Sequence, residues 1–212
     1  MNAPDGAPRR IYLLRHGHVD SGGQRRYIGR TDLPLSPRGQ EQARGLARDL
    51  AASGATRIYA SDLRRAQDTA RIIAAALGLK VILEPALREI DLGAWEGLTM
   101  DTVRHRDPES YRRRGEDLAG FRPPGGESFT DLARRVVPAF ERIAASTRGA
   151  AIIVAHAGVN RVLLCHLLAK PLRQLFDQDQ DHAAVTRIDY HGPRPVVRTF
   201  FQSSAPTSPG PG

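Results

Sequence analysis

Ile11-Tyr12-Leu13-Leu14 runs directly into Arg15-His16-Gly17. A continuous apolar run closed by a turn signal suits a strand buried on both faces of a sheet. In open α/β sheets, ligands bind beyond the carboxyl ends of such strands, where His16 would stand. The pattern recurs in Ala151-Ile152-Ile153-Val154-Ala155, which leads into His156-Ala157-Gly158. Two histidines delivered to one sheet edge need a chemical reason, and phosphate handling supplies one.

Working outward, apolar runs and helical patterns alternate, which predicts an α/β fold: a three-layer sandwich with a mostly parallel central sheet flanked by helices. Ser36-Pro37 should open the first helix, with serine as cap and proline at its first position. Ala43, Leu46, Ala47 and Leu50 then share one face. Arg57–Ala60 reads as a strand, followed by Ser61 as the cap of a helix burying Leu63, Ala66, Ala70, Ile73 and Leu77. Gly78 ends that helix, and Val81–Leu83 forms the next strand. Thr99 to about Gly126 is polar, rich in arginine and interrupted by Pro108, Pro123 and Pro124, so it predicts a short helical insertion over the sheet edge. Ser128 caps a longer helix through Leu132, Val136, Phe140 and Ile143. A helix from Val159 to Leu168 follows His156, and two strands, Ala184–Tyr190 and Pro195–Phe201, close the chain. Residues 1–9 and 203–212 read as disordered tails around a single domain, 10–202.

The formal charge of +8 raises the question of nucleic acid. Nearly all basic residues are arginines, lysine occurring only at Lys80 and Lys170, and they are spread along the chain. There is no zinc-finger spacing, no aromatic-rich RNA-binding motif and no lysine-rich tail. A positive field that draws in anionic substrates is the functional reading that survives. No apolar run approaches membrane-spanning length. The start lacks an apolar signal core, and the lone Cys165 cannot pair internally, so a reducing cytoplasm is expected. None of the seven histidines shows metal-ligand spacing, so neither metal nor cofactor is expected.

Five segments in order carry a family resemblance: Arg15-His16-Gly17; Gly29-Arg30-Thr31-Asp32-Leu33-Pro34-Leu35-Ser36 with Gly39; Ser61-Asp62-Leu63-Arg64-Arg65-Ala66-Gln67-Asp68-Thr69-Ala70; Leu87-Arg88-Glu89 with Gly93-Ala94-Trp95-Glu96-Gly97; and Val154-Ala155-His156-Ala157-Gly158. Together they resemble the histidine phosphatase superfamily, in its phosphoglycerate-mutase-like branch. The resemblance implies that His16 is the nucleophile, that Arg15 and Arg65 clamp the phosphate, and that His156 donates to a phosphate oxygen. It also implies that Glu89 is the acid that protonates the leaving group. These assignments suit the chemistry. A neutral imidazole attacks a dianion without charge repulsion, and a guanidinium fork meets two phosphate oxygens at once. Arg64 is the neighbouring competitor of Arg65, but on a helix the two point about 100° apart, so only one faces the site. Glu96 competes with Glu89 and reads as structural. Gly29, Arg30, Ala157, Gly158 and His182 are the candidate substrate-side residues.

The chain also departs from the family pattern. Relatives carry a glutamate two residues after the nucleophile and an asparagine six after it; His18 and Gly22 stand there. Gln24 or Arg30 is the expected replacement for the missing donor. The mutases carry a longer insertion after the acid motif, so the short Leu98–Gly126 stretch implies that water reaches the phosphoenzyme. Tyr27–Leu35 and Gln180-Asp181-His182 with Ala184-Val185 are similar to the α-ribazole phosphatases of cobalamin assembly. The expected partner is thus a small phosphate monoester. Homodimers occur in the family, with no interface visible in the sequence. The alternatives to hydrolysis are a cofactor-dependent mutase-type phosphotransferase and a non-catalytic module that binds phosphate ligands.

Overall fold

The structure is a computed structural model that describes residues 9–191 and 195–202. Six strands, β1 (Arg9–Arg15), β2 (Ala55–Ala60), β3 (Val81–Leu83), β4 (Ala150–Ala155), β5 (Ala184–Tyr190) and β6 (Pro195–Gln202), form one sheet in the order β3-β2-β4-β1-β5-β6. β1, β2, β3 and β4 pair in parallel, whereas β5 runs antiparallel to both of its neighbours. Helices α1 (Pro37–Asp49), α2 (Arg64–Leu77), α3 (Met100–Arg106), α4 (Pro108–Glu116), α5 (Phe129–Ser146) and α6 (Ala157–Leu167) complete it.

Alternation along the central strands explains the three layers. Tyr12 and Leu14 of β1, with Ile152 and Val154 of β4, pack on Leu46, Ala66, Ala70 and Ile73 of α1 and α2. Ile11, Leu13, Ala151 and Ile153 face the other way, against Leu132, Val136 and Phe140 of α5 and Val159, Val162 and Leu163 of α6. Because both faces are covered, these strands are apolar throughout rather than alternating. β3 lies at the sheet edge, where Ile82 and Leu83 stay exposed.

The local signals are largely obeyed. Ser36 caps α1 by accepting from Gly39 N–H, with proline in the first turn. Gly78 closes α2 at φ 67°, a left-handed conformation that costs glycine least. Ser128 and Asp131 form a reciprocal capping box at the start of α5.

Several expectations are corrected. Ser61 does not cap α2: the cap position falls at Leu63, which offers no side-chain bond, because the Ser61 hydroxyl is drawn toward a histidine. The helix after His156 begins at Ala157, two residues early. Arg9, assigned to the N-terminal tail, instead opens β1 and pairs with Tyr190. The rest of both tails, and Gly192–Arg194 between the last two strands, lie outside the described residues.

Candidate active site

In the β1–β4 register Arg15 lies opposite Ala155, so the next residues, His16 and His156, leave adjacent strands side by side. Their ring centroids are 5.2 Å apart, and both side chains are buried. β2 ends beside them at Ser61, whose N–H donates to Val154 O.

Arg65 fixes the state of His16. Its Nε donates to His16 Nε2 at 3.2 Å, while His16 Nδ1 lies 2.7 Å from Gly17 O. An arginine N–H can only donate, so Nε2 must carry the lone pair and Nδ1 the proton. Burial first, then neighbouring His156 and the charges of Arg65 and Arg15, push the His16 pKa well below its ordinary value. The same causes, burial and then Arg65 and Arg15, lower that of His156. Arg65 is 1% exposed, and its terminal nitrogens donate to Thr31 O and Gly29 O at 2.8 and 2.6 Å. Its neighbour Arg64 points outward to Asp68, as the helix geometry requires.

Arg15 approaches from the other side. It donates to Gln180 O and, at 2.9 Å, to His182 Nε2, and burial lowers its pKa to about 10. By the same reasoning His182 is neutral, with its proton on Nδ1. Its pKa falls to about 3 through burial and then Arg15. The His182 ring stands 5.5 Å from that of His16, so the structure brings the two residues together. Two buried polar nitrogens in this cluster, Arg15 Nε and His156 Nδ1, have no protein partner. Unmet buried donors cost about 1–3 kcal/mol each, a cost that a phosphoryl oxygen would offset.

Glu89 joins the group through α6. One carboxylate oxygen accepts from Gly158 N–H and the other from Ile90 N–H, both at 2.9 Å. A Cβ on Gly158 would fall 2.4 Å from Glu89 Oε1, so the close approach requires glycine. Behind Glu89, Arg135 donates to the carbonyls of Ala86, Arg88 and Glu89 and pairs with Glu127. Arg30 belongs to this same brace. Its guanidinium is held by Glu89 O, Asp91 and Glu127, an arrangement that commits all three nitrogens within the protein.

Glu96 is structural. It accepts from the backbone N–H groups of Gly29, Arg30, Thr31 and Leu92 and from the Thr31 hydroxyl. Burial raises its pKa, but these donors, the Thr31 hydroxyl foremost, outweigh that and hold it below its ordinary value. Glu96 therefore sets the 29–31 loop whose carbonyls hold Arg65. Gly29 and Gly158 thus position Arg65 and Glu89 through their own backbone groups. Ala157 opens the first turn of α6, where the helix dipole favours an anion.

Sequence reasoning missed Ser61 as a partner of His156, Thr69 as the acceptor for Gly17 N–H, and Arg161. Arg161 lies one turn into α6. Its Nε donates to Gln178 O, and its charge acts on Arg15 and Glu89. It stacks on Phe176 at 5.1 Å, and Arg114 of α4 lies over the Phe176 ring at 6.0 Å and over Tyr27 at 5.6 Å. The signal for Ser61 was its place at a third strand end; nothing local marked the others. Among the described residues, no group of three or more His, Cys, Asp or Glu converges as a metal-ligand set. No helix among them is long and apolar enough to cross a membrane.

The family model for the histidine phosphatase superfamily (branch 1) matches residues 11–203. A Mycobacterium tuberculosis (strain H37Rv) protein described as bifunctional is 43% identical over 161 residues, which are 75% of this chain but only 44% of that protein. "Probable phosphoglycerate mutase GpmB" of Enterobacter sp. (strain 638) is 35% identical over 85% of this chain and 84% of its own. Among solved structures, a mycobacterial glucosyl-3-phosphoglycerate phosphatase superposes with a TM-score of 0.82 at 32% identity, covering 91% of this chain and 98% of that one. The α-ribazole phosphatase of Shigella flexneri gives 0.85 at 27% identity, covering 94% and 100%. With its two strand-end histidines, buried Arg65, part-buried Arg15 and braced glutamate in these positions, the chain belongs to the histidine phosphatase superfamily, branch 1.

Proposed function

We propose that this chain hydrolyses a small phosphate monoester through a phosphohistidine formed at His16 Nε2. The observation that carries this reading is the pairing of His16, whose Nε2 is held as a lone pair by Arg65 while Nδ1 donates to Gly17 O. In the first step Nε2 attacks phosphorus, the bond to the leaving oxygen breaks, and the Glu89 carboxyl gives that oxygen its proton. Arg15, Arg65 and His156 hold the non-bridging oxygens, on which charge rearranges. In the second step the Glu89 carboxylate takes a proton from water, the water oxygen bonds to phosphorus, and the P–N electron pair returns to Nε2. No step calls on a metal, because guanidinium and imidazole donors meet the charge.

Hydrolysis is favoured over a mutase by the 98–126 segment. It contributes only the short helices α3 and α4, and α4 buries none of its residues, so water has access to the phosphoenzyme. Cys165, buried and free, suits a reducing cytoplasm. For the substrate, α-ribazole 5′-phosphate is supported by the Tyr27–Leu35 and Gln180–His182 segments and by the likeness to the Shigella enzyme. A second reading rests on the rim. Arg114 and Arg161 flank half-exposed Phe176, and although Glu89, Asp179 and Asp181 act on the charge of Arg161, two guanidinium groups at the rim suit a leaving group that carries its own anion, such as a phosphoglycerate ester.

The test is kcat/KM in EDTA with α-ribazole 5′-phosphate, glucosyl-3-phosphoglycerate, 3-phosphoglycerate and p-nitrophenyl phosphate. A strong preference for the first identifies a cobalamin-pathway phosphatase, and a preference for the second supports the rim reading. Release of no phosphate from any of them would leave only binding.

A further inference from the structure

Three parallel strands end at this site, and the third contributes a residue without a role so far. Ser61 follows β2 and is fully buried. Its Oγ lies 2.8 Å from His156 Nε2 and also accepts from Leu63 N–H at 3.3 Å. A serine hydroxyl has one proton to give. Because the side chain is fully buried, His156 Nε2 is the partner in position to accept it. The opposite arrangement, Nε2–H donating to Oγ, strands the hydroxyl proton in a buried site, whereas His156 Nδ1 lacks a protein partner in either arrangement.

We propose that Ser61 is a positioning residue: by donating to His156 Nε2 it keeps the imidazole proton on Nδ1 and makes His156 a hydrogen-bond donor to the phosphoryl group. This rests on the phosphoryl-transfer reading only in its last clause, since the proton position is a property of the resting protein. The two histidines then share the Nδ1–H tautomer for different ends. In His16 the Nδ1 proton is spent on the backbone and Nε2 is left to attack. In His156 Nε2 is spent on Ser61 and Nδ1 is left to donate. Burial, followed by Arg65 and Arg15, keeps His156 neutral, so its tautomer rather than its charge decides what it presents.

Long-range 1H–15N spectra of the full chain, labelled at histidine, test this, with His156→Gln assigning the resonances. The expected result is the Nδ1–H tautomer of His156 in the wild type and a shift toward Nε2–H in Ser61→Ala. Alongside it, kcat falls about 10- to 100-fold with little change in KM, and Ser61→Thr, which keeps the hydroxyl, recovers most of the loss. An Nε2–H tautomer in the wild type overturns the proposal, whether or not the alanine variant folds. So does a tautomer that Ser61→Ala leaves unchanged. If the tautomer behaves as expected but no phosphate ester is turned over, the proton assignment stands and the hydrolase reading fails.

Discussion

At the end of β1, His16 turns Nδ1 to its neighbour's carbonyl and offers Nε2 to Arg65; at the end of β4, His156 turns Nε2 to Ser61 and leaves Nδ1 without a partner. The two strand ends carry the same short pattern, lie in adjacent strands and are both buried. On the proposed reading, what would separate a nucleophile from a donor is the group that each ring meets. Arginine can only donate, and so it selects a lone pair. A serine that already accepts a backbone N–H has its proton left to give. The comparison teaches that a motif delivers an imidazole, whereas its neighbours choose which nitrogen is left free.

The largest effect should come from breaking one side of this comparison. His16→Ala is expected to abolish turnover and the acid-labile phosphoenzyme, read by acid quench after mixing with substrate. His156→Ala should keep a detectable phosphoenzyme and slow its formation by about 10²–10³, the usual cost of one preorganised donor. The reverse pattern would exchange the two roles. Glu89→Gln sharpens the leaving-group step: turnover of alkyl phosphates should fall by about 10²–10⁴ and that of p-nitrophenyl phosphate far less, since that leaving group scarcely needs a proton. Equal losses on both would remove Glu89 as the acid. Arg65→Ala should cost about 10²–10³ in kcat/KM, whereas exposed Arg64→Ala should stay within about 0.5 kcal/mol in stability and near wild type in rate.

The smallest effect is on pH dependence. His16 and His156 both titrate well below their ordinary value of 6.5, so between that value and their folded pKa the unfolded chain binds more protons. Stability is therefore complete above about pH 6.5 and declines as pH falls, by up to about 1.4 kcal/mol per pH unit for each histidine. Denaturant titrations from pH 7 to 5 should show this slope, and His156→Gln should flatten it. An unchanged slope would mean that the ring is not held neutral.

Much of this was legible because it follows from short-range rules. Fully apolar runs marked the central strands, Ser36-Pro37 and Ser128 marked helix starts, and Gly78 marked a helix end. The motif segments located His16, Arg15, Arg65, Glu89 and His156, and the structure gathers them. The illegible part depends on partners distant in sequence. Arg30 was expected at the substrate or in place of the missing asparagine, but two carboxylates, Asp91 and Glu127, engage it behind Glu89. Ser61 has the composition of a cap and the position of a strand end, and only the approach of β4 decides between them. The Glu96 fan over residues 29–31 spans more than sixty residues of chain, and no periodicity encodes it.

Gly158 has a consequence of another kind. A methyl group there would meet the Glu89 carboxylate, the end of a flexible side chain, and force it to shift. On the proposed hydrolase reading, such a variant should lose its proton donor while the histidines and arginines that would hold phosphate stay in place. One methyl group would then separate turnover from binding alone.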